Sequence, residues 1–151
     1  MKFGNSILNS NIIDVAIHIF VTVLISLLIF FYTRNLSYLI IFIAGGIFID
    51  LDHFIDYFFY FKRSFSLKNF FNSSYLKSGK VYLLLHSWEL VFFALIFSVI
   101  FNVKALLVLA LALIVHLFID SLHRLNPFSY LLIYRIKKNF DLKVLFPEID
   151  F

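Results

Sequence analysis

The chain has 151 residues, of which 62% are hydrophobic, with a mean hydropathy of +0.96 and a formal net charge of +4. Soluble domains contain roughly 45–50% apolar residues, so this composition excludes an ordinary soluble domain and indicates an integral membrane protein. Cysteine is absent, which excludes disulfides and thiolate metal sites. No Pro/Gly/Ser-rich linker divides the chain, so we expect a single membrane domain over residues 1–151.

Four apolar segments predict four transmembrane helices. A helix needs about 20 apolar residues to cross a hydrocarbon core about 30 Å thick. The N-terminus lacks the pattern of a cleaved secretory signal, so we expect the first segment to be retained. Tight connections join the first segment to the second and the third to the fourth, which predicts two antiparallel hairpins in an all-α bundle. The segments are residues 12–32, 36–61, 81–101 and 105–122.

Two further segments, residues 62–80 and 127–151, mix basic with aromatic and aliphatic side chains. Such segments are typical of interfacial helices or loops on an anionic leaflet, so we predict that both lie on the cytoplasmic side. The alternative is that they are only the flanks that the topology requires.

The alternating direction of the four segments places every His and every acidic residue on one side of the membrane. All Lys and Arg except Arg34 and Lys104 lie on that side too. The positive-inside rule then predicts a multi-pass membrane protein with both termini and the polar layer cytoplasmic. Within or beside the segments, the layer comprises Asp14, His18, Asp50, Asp52, His53, Asp56, His86, Glu89, His116, Asp120 and His123.

Each segment carries a His and a carboxylate three or four residues apart, and such residues share one face of a helix. Inserting an ionisable side chain into the membrane within a span costs about 2.5–3.5 kcal/mol of free energy. Because all four segments carry such side chains, we expect a shared polar site. Packed carboxylates repel one another, and a divalent cation relieves that repulsion. A metal site is therefore predicted, with a proton or ion relay or a structural polar network as alternatives. Asp56 and His123, nearest the water, are expected to be solvated or outside the ligand set.

The motifs resemble a known family. An early His18, then GGIFIDLDH at 45–53, His86-Ser87, and HLFID at 116–120 resemble the membrane-bound, metal-dependent hydrolases described as LexA-binding inner-membrane-associated hydrolases. That family is similar to the zinc-dependent phospholipase C and single-strand nuclease superfamily, whose helical enzymes bind zinc through His and Asp. The resemblance extends over residues 18–126 and implies the metal ligands His18, Asp50, Asp52, His53, His86, His116 and Asp120.

The implied chemistry is metal-assisted hydrolysis, in which Asp52 or Glu89 would accept the proton of the attacking water. The His-rich set favours zinc, with manganese or iron as alternatives. The layer lies about one or two helical turns below the cytoplasmic surface, so a phosphoester of a membrane lipid or lipid-like molecule is the expected substrate. Arg63, Lys80 and Arg124 would attract its phosphate. No nucleic-acid partner is expected.

Two other functions stay open. Paired His and acidic side chains also suit a metal-ion or proton-coupled transport protein. A pathway would need polar residues across the whole span, whereas the outer two thirds of these segments are uncharged, which favours a one-sided site. The third possibility is a non-catalytic membrane protein whose polar layer docks a partner.

Overall fold

The computed structural model describes the backbone of residues 3–62, 64–122 and 124–149, with side chains from residue 13 onward. The expectations for Arg63 and His123 therefore lie outside the described residues. Over these ranges the chain is helical and forms no sheet. The helices in chain order are α1 Phe3–Thr33, α2 Leu36–Phe48, α3 Asp52–Phe61, α4 Leu67–Phe71, α5 Trp88–Ile100, α6 Lys104–Ser121, α7 Leu132–Lys137 and α8 Leu142–Leu145.

Three helical segments are long and apolar enough to cross a membrane: Ile13–Thr33, Leu36–Phe61 and Lys104–Ser121. These confirm the first, second and fourth predicted segments. The second joins α2 to α3 through a 3-10 turn over Ile49–Leu51. Many large apolar side chains on these helices face outward, which is typical of a surface that contacts lipid rather than water. They include Phe20, Leu28, Ile40, Phe48 and Phe118.

The third predicted span is wrong for residues 81–87. Helix α5 begins only at Trp88 and has 13 residues, about 20 Å, which is short for a hydrocarbon core. Ser87 ends the preceding segment by accepting a hydrogen bond from the Leu90 backbone N–H, as an N-cap does. Leu83 has a φ of 44°, which a helix does not allow.

Two adjacent glycines allow three long helices to pack closely. Helix α2 packs against both α1 and α6. A Cβ atom at Gly45 would lie 2.6 Å from Leu109 Cδ1, and one at Gly46 would lie 2.7 Å from both Thr22 Cγ2 and Oγ1. The absence of these side chains therefore lets α6 approach one face of α2 and α1 the other.

Gly46→Ala should destabilise the protein by about 1–3 kcal/mol, the range for overpacking a tight contact. The new methyl group meets Thr22, whose branched side chain has little rotamer freedom in a helix. Gly45→Ala is the matched control, because it meets mainly the flexible end of Leu109. Unfolding in a detergent titration would measure both, and equal stability of the two variants would contradict the proposed tight contact at Gly46.

Residues 64–80 and 124–149 fold together and are called the cap. The Leu142 N–H donates to the Gly79 carbonyl at 2.9 Å, and the N–H of Val81, which directly follows the first part of the cap, donates to the Phe140 carbonyl at 3.0 Å. The cap shares one core with the polar ends of the long helices, which include Ile49 and Leu117. Its buried members include Tyr75, Leu76, Tyr130, Leu142, Leu145 and Phe146. The predicted interfacial position of these segments stays a prediction.

Candidate metal centre

Four separate segments each bring one histidine to the same region. His18 comes from α1, His53 from α3, His86 from the non-helical segment before α5, and His116 from α6. Their rings are close: the centroids of His18 and His116 are 4.3 Å apart, and those of His86 and His116 are 5.3 Å apart. The predicted convergence of the histidines is therefore present in the structure.

The histidines surround two carboxylates. Three Nε2 atoms approach Asp120: that of His18 lies 3.1 Å from Oδ1, and those of His86 and His116 each lie 3.7 Å from Oδ2. Asp50 Oδ1 lies 3.3 Å from His116 Nε2, 3.5 Å from His86 Nε2 and 4.0 Å from His53 Nε2. Two sets have ligand atoms within 4.8 Å of one another and could each hold a metal ion: His18, His116 and Asp120, and Asp50, His53 and His86.

The other ring nitrogen of every one of these histidines already has a partner. His18 Nδ1 lies 2.9 Å from the Asp14 carbonyl oxygen, and His116 Nδ1 lies 2.9 Å from the Gly46 carbonyl oxygen. His86 Nδ1 lies 3.2 Å from Asp52 Oδ2, and His53 Nδ1 lies 3.1 Å from the Tyr75 hydroxyl. Metal-binding histidines are oriented in this way, by an outer partner that fixes the ring and its tautomer.

The partners of Nδ1 determine the ring tautomers, and with neutral rings no positive charge lies between the Nε2 atoms and the carboxylates. A carbonyl or carboxylate acceptor at Nδ1 requires the hydrogen there, so in the neutral ring Nε2 presents a lone pair. Those lone pairs face the oxygens of Asp50 and Asp120. Among the described residues, His18 Nε2 and His86 Nε2 are buried without a hydrogen-bond partner. Either the imidazoles take up protons or a cation lies between the nitrogens and the carboxylates, and the donor set of imidazoles and carboxylates suits a transition-metal ion.

Asp52 does not belong to either set of clustered ligands. The side chain is fully buried, and its Oδ2 atom accepts hydrogen bonds from the backbone N–H groups of Leu85 and His86. The same oxygen contacts His86 Nδ1. Asp52 therefore orients His86 and fixes the backbone that carries it, rather than facing the centre itself.

The sequence predicts that Asp56 is solvated or outside the ligand set; it is buried, and neither set of clustered ligands includes it. Both of its carboxylate oxygens accept from the Tyr82 N–H, at 3.1 and 3.0 Å. Asp52 and Asp56 lie one helical turn apart and bind successive parts of the segment 81–87. Their hydrogen bonds explain why that segment is not helical: the carboxylates accept from backbone N–H groups that a helix would use for its own ladder.

Glu89 binds the backbone at the start of α7. Its carboxylate accepts from the backbone N–H groups of Leu132 and Ile133, at 2.9 and 3.0 Å, at the start of α7. These are among the N–H groups that a helix leaves unpaired at its first turn. Neither set of clustered ligands includes Glu89.

Arg135 in α7 is the charged residue that sequence reasoning missed. Its side chain is fully buried and donates to the backbone carbonyls of Tyr82, Leu83 and His86. Burial lowers the pKa of its guanidinium, while the charges of Asp52 and Glu89 oppose that shift. The segment 81–87 is therefore bound on its N–H side by carboxylates and on its carbonyl side by an arginine.

A cavity of about 700 Å³ opens at the centre. Its polar lining includes the candidate ligands His18, Asp50, His53 and Asp120, together with Asp14, Arg124, Tyr130 and Glu148. Its apolar lining includes Ile19, Phe48, Leu51, Phe54, Phe70 and Phe71. Asp52, Glu89 and Lys80 are not among the described residues that line it, so Arg124 is the one expected phosphate-attracting residue that the structure brings to the cavity.

No family model, no curated protein and no solved structure matches this chain. The comparisons therefore support no family.

The tyrosines of the site carry no sequence signal of their own. Tyr75 and Tyr130 lie in the cap, far along the chain from the histidines they approach. Burial raises the pKa of both phenols, so they stay neutral. Only the folding of residues 64–80 and 124–149 onto the helix ends places them there.

Proposed function

We propose that this protein is a membrane-embedded, metal-dependent hydrolase that cleaves a phosphoester of a lipid or lipid-like substrate. One observation carries the proposal: four histidines, each oriented through Nδ1, direct Nε2 toward the carboxylates of Asp50 and Asp120. The resemblance to the LexA-binding inner-membrane-associated hydrolases points to the same chemistry, and it rests on the motifs at residues 45–53 and 116–120.

The proposed ligand set differs from the one that the resemblance implies. His18, His116 and Asp120 would hold one divalent ion, and Asp50, His53 and His86 a second. Asp52 would act from outside by orienting His86. Zinc suits a set of four imidazoles and two carboxylates better than magnesium does. A bound divalent ion would polarise a phosphoryl oxygen and acidify water.

The proton acceptor would be Asp14 rather than Asp52 or Glu89. Asp14 lines the cavity, and its side chain is 52% exposed. Asp52 and Glu89 already accept hydrogen bonds from backbone N–H groups elsewhere. A carboxylate that accepts a proton must reach the cavity, and Asp14 meets that requirement.

A lipid phosphoester matches the division of the cavity lining into polar and apolar residues. One part of its wall carries the candidate ligands and Arg124, and another part carries the side chains of Phe54, Phe70 and Phe71. An amphiphile with an anionic headgroup has the same division of polar and apolar surface.

We also propose the arrangement in the membrane. Helices α1 and α2 form one hairpin and α5 and α6 a second, with both termini and the metal centre on the cytoplasmic side of the inner membrane. Support comes from the short connections at residues 34–35 and 101–103 and from the Lys and Arg distribution. The non-helical segment 81–87 would complete the depth that α5 lacks. Val81, Leu83 and His86 are buried in it, whereas the side chains of Leu84 and Leu85 are exposed.

The test uses the full chain in phosphatidylcholine nanodiscs, incubated with zinc and dialysed. Elemental analysis should find about two ions per chain, as in other two-metal hydrolytic sites. Phosphorus NMR should detect cleavage of at least one added lipid phosphoester, and chelation should abolish it. Clearly substoichiometric metal would favour a structural polar layer. Bound metal without cleavage of any lipid phosphoester would favour the transport alternative.

A further inference from the structure

We propose that Arg124 is the phosphoryl-binding residue of the metal centre and that the Glu148 carboxylate occupies its guanidinium until a phosphoryl group displaces it. This inference rests on the proposed function, because it needs the metal ions to attract the same ligand. The ligand chemistry is a phosphoryl group, from either a lipid headgroup or free phosphate.

Arg124 lies close to two candidate ligands, Asp120 and His86. It follows the end of α6, four residues after Asp120, and both residues line the cavity. Its Nε atom donates to the Tyr130 hydroxyl at 3.1 Å, and the Tyr130 ring centroid lies 6.3 Å from that of His86. A group bound to the guanidinium would therefore lie in the same cavity as the candidate metal ligands.

The guanidinium has capacity for a further ligand. Nε donates to Tyr130 and Nη1 donates to Glu148 Oε1 at 3.1 Å, whereas Nη2 donates to no group in residues 3–62, 64–122 or 124–149. The plane lies over the Phe146 ring, with Cζ 5.0 Å from its centroid, which fixes its orientation. Once Glu148 leaves, Nη1 and Nη2 together would suit bidentate binding of a phosphoryl group.

Glu148 is an incomplete partner for this arginine. Its Oε2 atom is buried and has no hydrogen-bond partner among the described residues. Only one of its oxygens contacts the guanidinium, so the pair is not the bidentate form in which Arg and carboxylate associate most strongly. A phosphoryl group that also contacts the metal ions could replace this single contact, and Glu148, 20% exposed, could then turn toward water.

The charges of the centre favour the exchange. Two divalent ions would carry more charge than the two carboxylates that hold them, Asp50 and Asp120, so the ions would still attract an anion. Arg124 and Glu148 neutralise one another while paired. Release of Glu148 adds the arginine charge on the side from which an anion arrives, so a phosphoryl ligand is stabilised by the ions and by the guanidinium together.

The test measures binding of radiolabelled inorganic phosphate to the zinc-loaded full chain in phosphatidylcholine nanodiscs. Glu148→Gln removes the competing charge and should tighten binding by about tenfold, and Arg124→Gln should weaken it by about tenfold or more, as expected for a hydrogen bond to a charged group. Lys143→Gln is the control, because it removes one positive charge from an exposed residue that does not line the cavity. It should bind phosphate like the unchanged protein.

A second arm distinguishes the sources of the phosphoryl group. Nanodiscs that also contain phosphatidate should compete with inorganic phosphate if the lipid headgroup reaches Arg124; no competition would identify free phosphate as the ligand. Competition and its absence both support the phosphoryl subsite, provided that Glu148→Gln and Arg124→Gln shift the phosphate affinity in opposite directions. Unchanged affinity in either Glu148→Gln or Arg124→Gln would overturn it. Metal content measured on the same samples separates this failure from failure of the proposed function.

Discussion

Asp120→Asn should lower the affinity for zinc by at least about 100-fold, equivalent to about 2.7 kcal/mol of binding free energy. The Nε2 atoms of His18, His86 and His116 all lie 3.1–3.7 Å from the carboxylate oxygens of Asp120. An amide provides no negative charge, and its N–H₂ group would direct hydrogens toward nitrogens that must bind the ion. Zinc titration of the dialysed protein would measure the loss.

The same substitution should leave the metal-free fold at least as stable as before. In the unchanged protein the Nε2 lone pairs face carboxylate oxygens, whereas the amide of the variant can donate to them. Asp141→Asn is the matched control: Asp141 caps α8 by accepting from Lys143 and Val144, and Asn caps helices equally well. Retained zinc affinity in Asp120→Asn would refute the proposed ligand set.

Arg135→Met should destabilise the protein by about 3 kcal/mol or more. It leaves the carbonyls of Tyr82, Leu83 and His86 buried without their donor, and hydrogen bonds to a charged group contribute about 1.5–3 kcal/mol each. It also removes a buried positive charge that faces the carboxylates of Asp52 and Asp56. Thermal unfolding in detergent would measure the change.

Metal binding should weaken together with stability in this variant, since the same segment carries His86. Arg135→Lys should be intermediate, because an ammonium group cannot reach three carbonyls with the geometry of a guanidinium. Lys137→Met is the control: it removes a charge from the exposed face of the same helix. If Arg135→Met unfolded at the same temperature as this control, Arg135 would not support the segment 81–87.

The sequence predicted the long helices and the set of converging histidines well, because both depend on patterns along a single helix. Apolar runs define the spans, and a spacing of three or four residues places a histidine beside a carboxylate. These regularities were enough to bring His18, Asp50, His53, His116 and Asp120 to one place in the prediction.

The errors arise where the backbone leaves a helix. Residues 81–87 are as apolar as a span, and nothing in their composition indicates that Asp52, Asp56 and Arg135 bind their backbone. Periodicity treats each carboxylate near a histidine as a ligand, so it cannot separate Asp50, which faces the centre, from Asp52, which orients a ring. That distinction depends on contacts between residues more than thirty positions apart.

The positions of the candidate ligands along the chain also set the order in which the centre can be assembled. One proposed ion joins His18 to His116 and Asp120, and the arginine that fixes the His86 segment comes later still, at residue 135. During synthesis the first helices therefore enter the bilayer with their histidines and carboxylates uncompensated. In the proposed metal-loaded protein, metal acquisition would be the closing step of biogenesis, and the bound ions would connect α1 to α6 and oppose their separation.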